Sequence, residues 1–417
     1  MPKRLILLAA TFVLIGGLAF TMILPATGHM SHGFIGRYTA AKLLVEGRFG
    51  PQVYEFDWFV AQVQANAGQP IIEIFTPNLP TLALLTVPLV WLPAQLARDV
   101  WIWLNFVILA GAVVWLGASL PGRLTGEWRG GILAISLLTL APALSANFQV
   151  GQVYVLLLLC YVLALRGLLR ERPWLVGLAF GLALVFKTSG LAFWLLLLGQ
   201  RRWRALAWGG LTVLLTVLLS LPWIGLDTWL AYPQAVRQFG NSGARAVTAY
   251  QATPNFFAHL FLFDPVWNLR PVAHQPLLAW LLPLLITAGA LVVTFWLGWR
   301  SGSQHTARFF AALMPLNVIL LPVAESYHFG LMLIPLYVLS IELIEAARLG
   351  EPVWFDWALL LAAGVLLAAP GPSTGGDGGG WLALLAYPRL YGGWLVWVVA
   401  VRRLAARPQP EAALQIR

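Results

Sequence analysis

The sequence predicts an all-α polytopic membrane protein, with about twelve transmembrane helices, two long loops on the non-cytoplasmic face and helices lying in the interface. Three observations carry that expectation. Of 417 residues, 60% are hydrophobic and 10% charged, with a mean hydropathy of +0.79, whereas soluble domains carry about 25% charged residues. Apolar runs of about 20 residues, the length that crosses a hydrocarbon core, recur from end to end. Finally, the basic residues sort onto one side of the bilayer once these runs are followed in order. The chain 1–417 reads as a single integral membrane domain.

The start, MPKRLILLAATFVLIGGLAFTMILPA, joins a basic flank to an apolar run of about 20 residues. A signal-peptide core is about 7–15 residues, so 5–25 reads as an uncleaved first span. Residues 26–96 form the first outer loop, the first long polar interruption of the chain. Within it Ile35–Val45 has helical composition, with Phe34, Tyr38, Ala41, Leu44 and Val45 able to share an apolar side. That helix is expected along the interface, with Arg37 and Lys42 towards water or headgroups. Further spans are expected at 97–119, 130–147, 151–168, 173–187, 189–200 and 205–223. A second outer loop occupies 224–275. The remaining spans fall at 276–298, 308–323, 327–347, 353–370 and 381–402, before a cytoplasmic tail at 402–417. The glycine-rich GPSTGGDGGG is a flexible turn.

Run 78–93 is decided by charge. If it does not cross, the 26 Lys and Arg residues divide 17 inside to 9 outside. If it crosses and all else stands, the division becomes 8 to 18. The positive-inside rule selects the first arrangement and puts both termini in the cytoplasm. Pro80, Pro88 and Pro93 also suit a short, broken element. In the surviving rival, 78–93 crosses and 173–200 is one long span, which leaves the charges nearly even. The net charge of +10 belongs to this topology and to anionic headgroups, so no nucleic acid partner is implied. Cys160 has no partner for an intrachain disulfide.

No soluble-enzyme motif is present: no phosphate-binding glycine loop, no metal-spaced Cys/His cluster and no GxSxG. The chemistry rests on polar residues that the topology gathers on the outer face. Glu55 and Asp57, in VYEFDWF, are candidate general bases towards an acceptor hydroxyl, or ordinary solvated loop acids. Lys187 sits between two apolar runs too short to cross about 30 Å. A cation at the tip of such a hairpin can hold a phosphate as a point charge, or it simply snorkels to the interface. Glu325 and His328, in PVAESYHFG, form either a proton-handling pair or a capping pair. Asn147, Gln149 and Gln152 offer uncharged donors for sugar hydroxyls or caps. Arg389 meets a lipid phosphate or anchors the interface beside Tyr387 and Tyr391. Arg237 and Arg245 flank QFGNSGA in the second loop.

Stretches over most of the chain, in order, resemble the integral-membrane GT-C glycosyltransferases, and specifically glycosyltransferase family 87, the polyprenol-phosphate-mannose-dependent mannosyltransferases. GFIGRYTAAKLLVEGRFGPQVYEFD resembles the family's first-loop pattern, and IFTPNLPTLALLTVPLVWLP its Tyr-Pro-Pro segment. ANFQVGQVYVLLLL is similar to its Gly-Gln-x-Asn turn, with Tyr154 in place of Asn. RPWLVGLAFGLALVFKTSGLAFWLLLLGQRRWRA matches best, including the Lys and the arginines after it. NFFAHLF and SYHFGLMLIPL resemble later outer-face segments. The resemblance implies a sugar on a polyprenyl phosphate as donor, a lipid or cell-envelope glycan as acceptor, and a site on the outer face of a membrane, bacterial plasma or inner membrane in the first instance. It puts Lys187 on the donor phosphate and His328 beside the donor; Gln152, Asn78 and Arg389 are further candidate donor contacts by the reading of the residues themselves. The donor is itself a substrate, and neither cofactor nor metal is expected.

One position departs from the pattern. Aligning the Phe and the Ala-Ala pair places the family's first-loop Asp, its base, at Gly33. Either Asp57, Glu55 or His32 then serves, or the chain is an inactive relative that binds lipid-linked sugar. A lipid or solute transporter is the other rival, weakened by the absence of an internal repeat.

Overall fold

The computed structural model describes residues 16–406 apart from 77, 121, 123, 189, 241–242, 303–304 and 371–378. About half of the first span 5–25, both termini, most of the tail 402–417 and most of the glycine-rich turn lie outside the described residues. Among those described, the secondary structure is helical and no strand occurs. The chain is therefore an all-α polytopic membrane protein.

After an apolar helical stretch at Gly16–Ala26, the first loop folds α1 (Phe34–Val45) and α2 (Phe56–Ala67). A 3-10 helix, Pro80–Leu89, follows. At about 2 Å per residue its 10 residues fall short of a bilayer, as the broken-element reading requires. α3 (Ala94–Gly117) is the first long apolar helix after the loop. α4 (Gly126–Thr139) and α5 (Ala141–Val150) meet at a 61° bend where Pro142 begins the second helix. The bundle continues with α6 (Tyr154–Leu169), α7 (Pro173–Phe186), α8 (Leu191–Gly199) and α9 (Trp203–Ile224). α10 (Leu226–Gly240) and α11 (Thr253–Phe261) build the second loop. α12 (Pro276–Arg300), α13 (Thr306–Ile319), α14 (Leu333–Arg348), α15 (Trp354–Ala368) and α16 (Pro388–Ala405) complete the chain. Among the described residues, four helices are long and apolar enough to cross a membrane, or up to six if each bent pair is one span. The other expected spans appear as shorter apolar helices, α7 and α8 being only 14 and 9 residues.

Burial sorts these helices into a centre and a lipid-facing rim. The helix that enters through Ser326 and continues as α14 is 78% buried across its apolar window, whereas α9 is 17% and α12 22% buried. The exposed large side chains along the apolar middle of α9 and α12 are Leu, Val, Ile and Trp, as expected where lipid takes the place of protein. A second hydrophobic core belongs to the first loop: Phe34, Phe59, Phe75 and Leu82 pack against Trp101 of α3. The loop is thus a packed roof with its own interior.

The interfacial placement expected for α1 is corrected here. Its residues from Phe34 to Ala41 are all buried, including Arg37. Arg37 donates to the carbonyl of Gly151, and its guanidinium lies 4.8 Å from the ring centroid of Trp101. It tethers the roof to the bundle instead of facing headgroups. Arg98 does the same, donating to the carbonyls of Ala26 and, at 2.6 Å, Gln149. At the opposite end of α14 and α16 from Ser326 and Arg389, Arg403 binds Glu342 at 2.7 Å and Glu351 at 3.0 Å, and Arg308 joins Glu342 at 3.1 Å.

Candidate active site

Under the roof lies a cavity of about 300 Å³, at the lower end of small-ligand sites. It collects polar side chains from segments far apart in the chain. Glu73 and Asn78 come from the first loop, Gln152 from the α5–α6 turn, and Lys187 from the α7–α8 turn. Tyr232 of α10 and Tyr250 come from the second loop, and Glu325, Tyr327 and His328 from the turn before α14.

Most of these are held by local structure. Two short helices place Lys187 at their junction, where its Nζ donates to Asn78 Oδ1 at 2.7 Å. Asn78 is held in turn by Tyr54, whose hydroxyl donates to the Asn78 carbonyl at 3.1 Å. Burial lowers the Lys187 ammonium to about 8, with Arg37 acting in the same sense and Glu325 and Glu73 opposing. Glu325 and His328 do form the capping box that is one of the two readings of PVAESYHFG. The backbone N–H of Glu325 donates to His328 Nδ1 at 3.0 Å, which leaves the ring proton on Nε2. The Glu325 carboxylate accepts from the Tyr327 hydroxyl at 2.9 Å. Tyr327 stacks on His328 with ring centroids 4.6 Å apart and Tyr154 packs tilted against it at 4.1 Å, making an aromatic shelf next to the polar wall.

Glu73 completes the wall. Its Oε1 accepts the N–H of Ile74 at 3.1 Å and its Oε2 accepts the N–H of Gly33. Burial raises both Glu73 and Glu325 above the ordinary carboxylate range. The backbone donors and His32 oppose that rise at Glu73; the Tyr327 hydroxyl, Lys187 and His32 oppose it at Glu325. A cation, two carboxylates, an imidazole and two amides therefore share one enclosure. Such a set can hold an anionic group and move a proton at the same time. Among the described residues no three His, Cys, Asp or Glu side chains group as a metal site.

Of the residues singled out in the sequence, Lys187, His328, Gln152 and Asn78 line this cavity. The three candidate bases do not. Asp57 is exposed in the first turn of α2, because Phe59 and Val63 of that helix face the roof core and leave Asp57 on the outer side. Glu55 is exposed as well and lines a separate groove of about 160 Å³, which shares only Ile74, Thr76 and Phe239 with the cavity. His32 is exposed at the edge of the roof. Arg389 is also outside the cavity: it is buried, donating to Ser326 Oγ and, at 3.0 Å, to the carbonyl of Ala369. It holds the segment bearing His328 and touches no cavity wall. Glu73, which lines the cavity, is not among the residues the sequence singles out, although it is the only acid between Asp57 and Asp99 and sits in the apolar run IIEIF.

No curated protein and no solved structure matches this chain. The signature of glycosyltransferase family 87 matches residues 75–322, more than half of the sequence, and that stretch holds Asn78, Gln152, the Lys187 hairpin and Tyr250. A helical membrane bundle, a roofed polar cavity and a match over more than half of the sequence converge, although Glu73, Glu325, Tyr327 and His328 lie just outside the matched residues, and the chain belongs to glycosyltransferase family 87, the family of a membrane glycosyltransferase.

Proposed function

We propose that this cavity transfers a hexose, mannose in the first instance, from a polyprenyl phosphate to a hydroxyl of a lipid or cell-envelope glycan. The observation that carries the reading is Lys187: a cation at the tip of two short helices, steadied by an amide and open to the cavity. A leaving polyprenyl phosphate is already an anion. A fixed ammonium beside it stabilises the charge that grows as the glycosidic bond breaks. Asn78, Gln152 and His328 Nε2–H are the proposed neutral contacts to sugar and phosphate, and the donor needs no separate cofactor. The basic residues at the Arg308 and Arg403 end support a cytoplasmic location for that end and both termini, and hence a non-cytoplasmic cavity, in a bacterial plasma membrane by this reading.

The test is sugar transfer by the full chain in lipid discs, with labelled polyprenyl-phosphate mannose and an extract of the host's envelope lipids. Wild type should form labelled product. Lys187→Ala should lower the rate about 10–100-fold, the range of one charge-assisted contact. Product formed equally well by Lys187→Ala overturns the role of this cation. Gly33 favours a second reading, a relative that binds lipid-linked sugar without transferring it. Lys187-dependent donor binding with no transfer to any acceptor fraction would establish that reading instead.

A further inference from the structure

Sugar transfer of this kind needs a group to take the acceptor's proton, and position 33 cannot supply one. Gly33 precedes α1 with φ +81°, a conformation rare for L residues. A Cβ there would lie 2.5 Å from Val150 Cγ1 and 2.6 Å from the Val150 carbonyl oxygen. The backbone and its neighbours have closed over the place a side chain would need. A carboxylate nevertheless reaches this corner from another segment, because Glu73 Oε2 accepts the Gly33 N–H. Gly36 makes room for it: a Cβ at 36 would come within 2.7 Å of Glu73 Cγ. Two residues on, Phe75 anchors the segment in the roof core, with Phe49, Tyr54 and Phe59 each 5.8 Å away between ring centroids.

We propose that Glu73 is the general base of the transfer, brought by the segment 71–76 to the corner where residue 33 has no side chain. The inference rests on the function proposed above. Glu325 is the other carboxylate in the cavity, but it is committed to the capping box and to the Tyr327 hydroxyl. Glu73 is held by one backbone N–H on each oxygen, which aims the carboxylate and leaves lone pairs on both atoms. Its raised proton affinity brings it closer to the value suited to a base near neutral pH. The charged and titratable groups around it are His32, Arg37, Lys187 and Glu325, with Tyr250 and Tyr327 beyond.

In the step, Glu73 accepts the proton of the acceptor hydroxyl as the oxygen bonds to the anomeric carbon. The bond from that carbon to the phosphate oxygen breaks, and its electron pair leaves on polyprenyl phosphate, which gains one negative charge beside Lys187. The products are the glycoside, polyprenyl phosphate and protonated Glu73. The proton then passes to water.

Glu73→Gln, Glu73→Asp, Glu325→Gln and Asp57→Asn, each measured for donor binding and for transfer against pH, decide the matter. Glu73→Gln should bind donor while losing about 10²–10⁴-fold in turnover. It should also lose the acid limb of the wild-type profile. Glu73→Asp should recover part of the turnover with a displaced acid limb. Wild-type turnover in Glu73→Gln overturns the proposal, as does a loss confined to Glu325→Gln or Asp57→Asn. If Glu73→Gln fails to fold, an acid limb unchanged in Glu73→Asp overturns it instead. Absence of transfer by wild type, with donor still bound, defeats the functional reading, and the role of Glu73 falls with it.

Discussion

Lys187 and Gly33 show how far one residue's surroundings decide its chemistry. Lys187 stood out in the sequence because a cation between two short apolar runs is costly. Its partner, Asn78, lies 109 residues away, and no local pattern announces that contact. With its ammonium lowered to about 8, charge is present below that pH and lost above it. Donor binding should therefore weaken as pH rises through about 8, while Lys187→Ala binds weakly at every pH; equilibrium binding of labelled donor checks both. Gly33 shows the reverse case. Its alignment with an acid was legible, but the reason no side chain fits there was not, since Val150 approaches from α5. Gly33→Ala should lower stability by about 2–4 kcal/mol, from the positive φ and the contact with Val150. Thermal melts in detergent should show it, and Gly33→Asp should not raise turnover.

Elements, more than residues, set the geometry of the cavity. The α7–α8 hairpin was foreseen from two runs of 12–15 residues, and it appears as helices of 14 and 9 residues. The short element that the prolines of 78–93 suggest appears as the 3-10 helix at Pro80–Leu89. The orientation of α1 was misread because its composition suits an interfacial helix, and burial on every side depends on partners, Trp101 and Pro80–Leu89, that are distant in sequence. The segment Ser326–Met332 carries His328 and depends on Arg389, whose guanidinium binds Ser326 and Ala369 together. Arg389→Ala should cost about 1–3 kcal/mol, the scale of a buried hydrogen-bonded charge. It should also weaken donor binding by loosening that segment. Arg389→Lys should restore little, because an ammonium lacks the planar fork that spans both acceptors. Melting temperature and donor affinity, measured together, separate this positioning role from an effect on folding alone.

At the scale of the molecule, orientation is a sum over many charges. With Cys160 replaced by Ala, Glu55→Cys should react with a membrane-impermeant maleimide from outside intact cells. Arg204→Cys should react only after permeabilisation; the reverse pattern would invert the assigned topology. Both positions are exposed, so access is set by the bilayer. The sequence by itself determined the solvent in which this protein lives, its helical class and its family. Those properties depend on composition and on the length of apolar runs, which are additive along the chain. Only the tertiary structure decided which polar residues share the cavity. It buried Arg37 and Arg389 as supports, left Asp57 outside, and brought Glu73 against Gly33. Such selections depend on contacts between segments tens of residues apart, and hydrophobic periodicity carries no record of which segments meet.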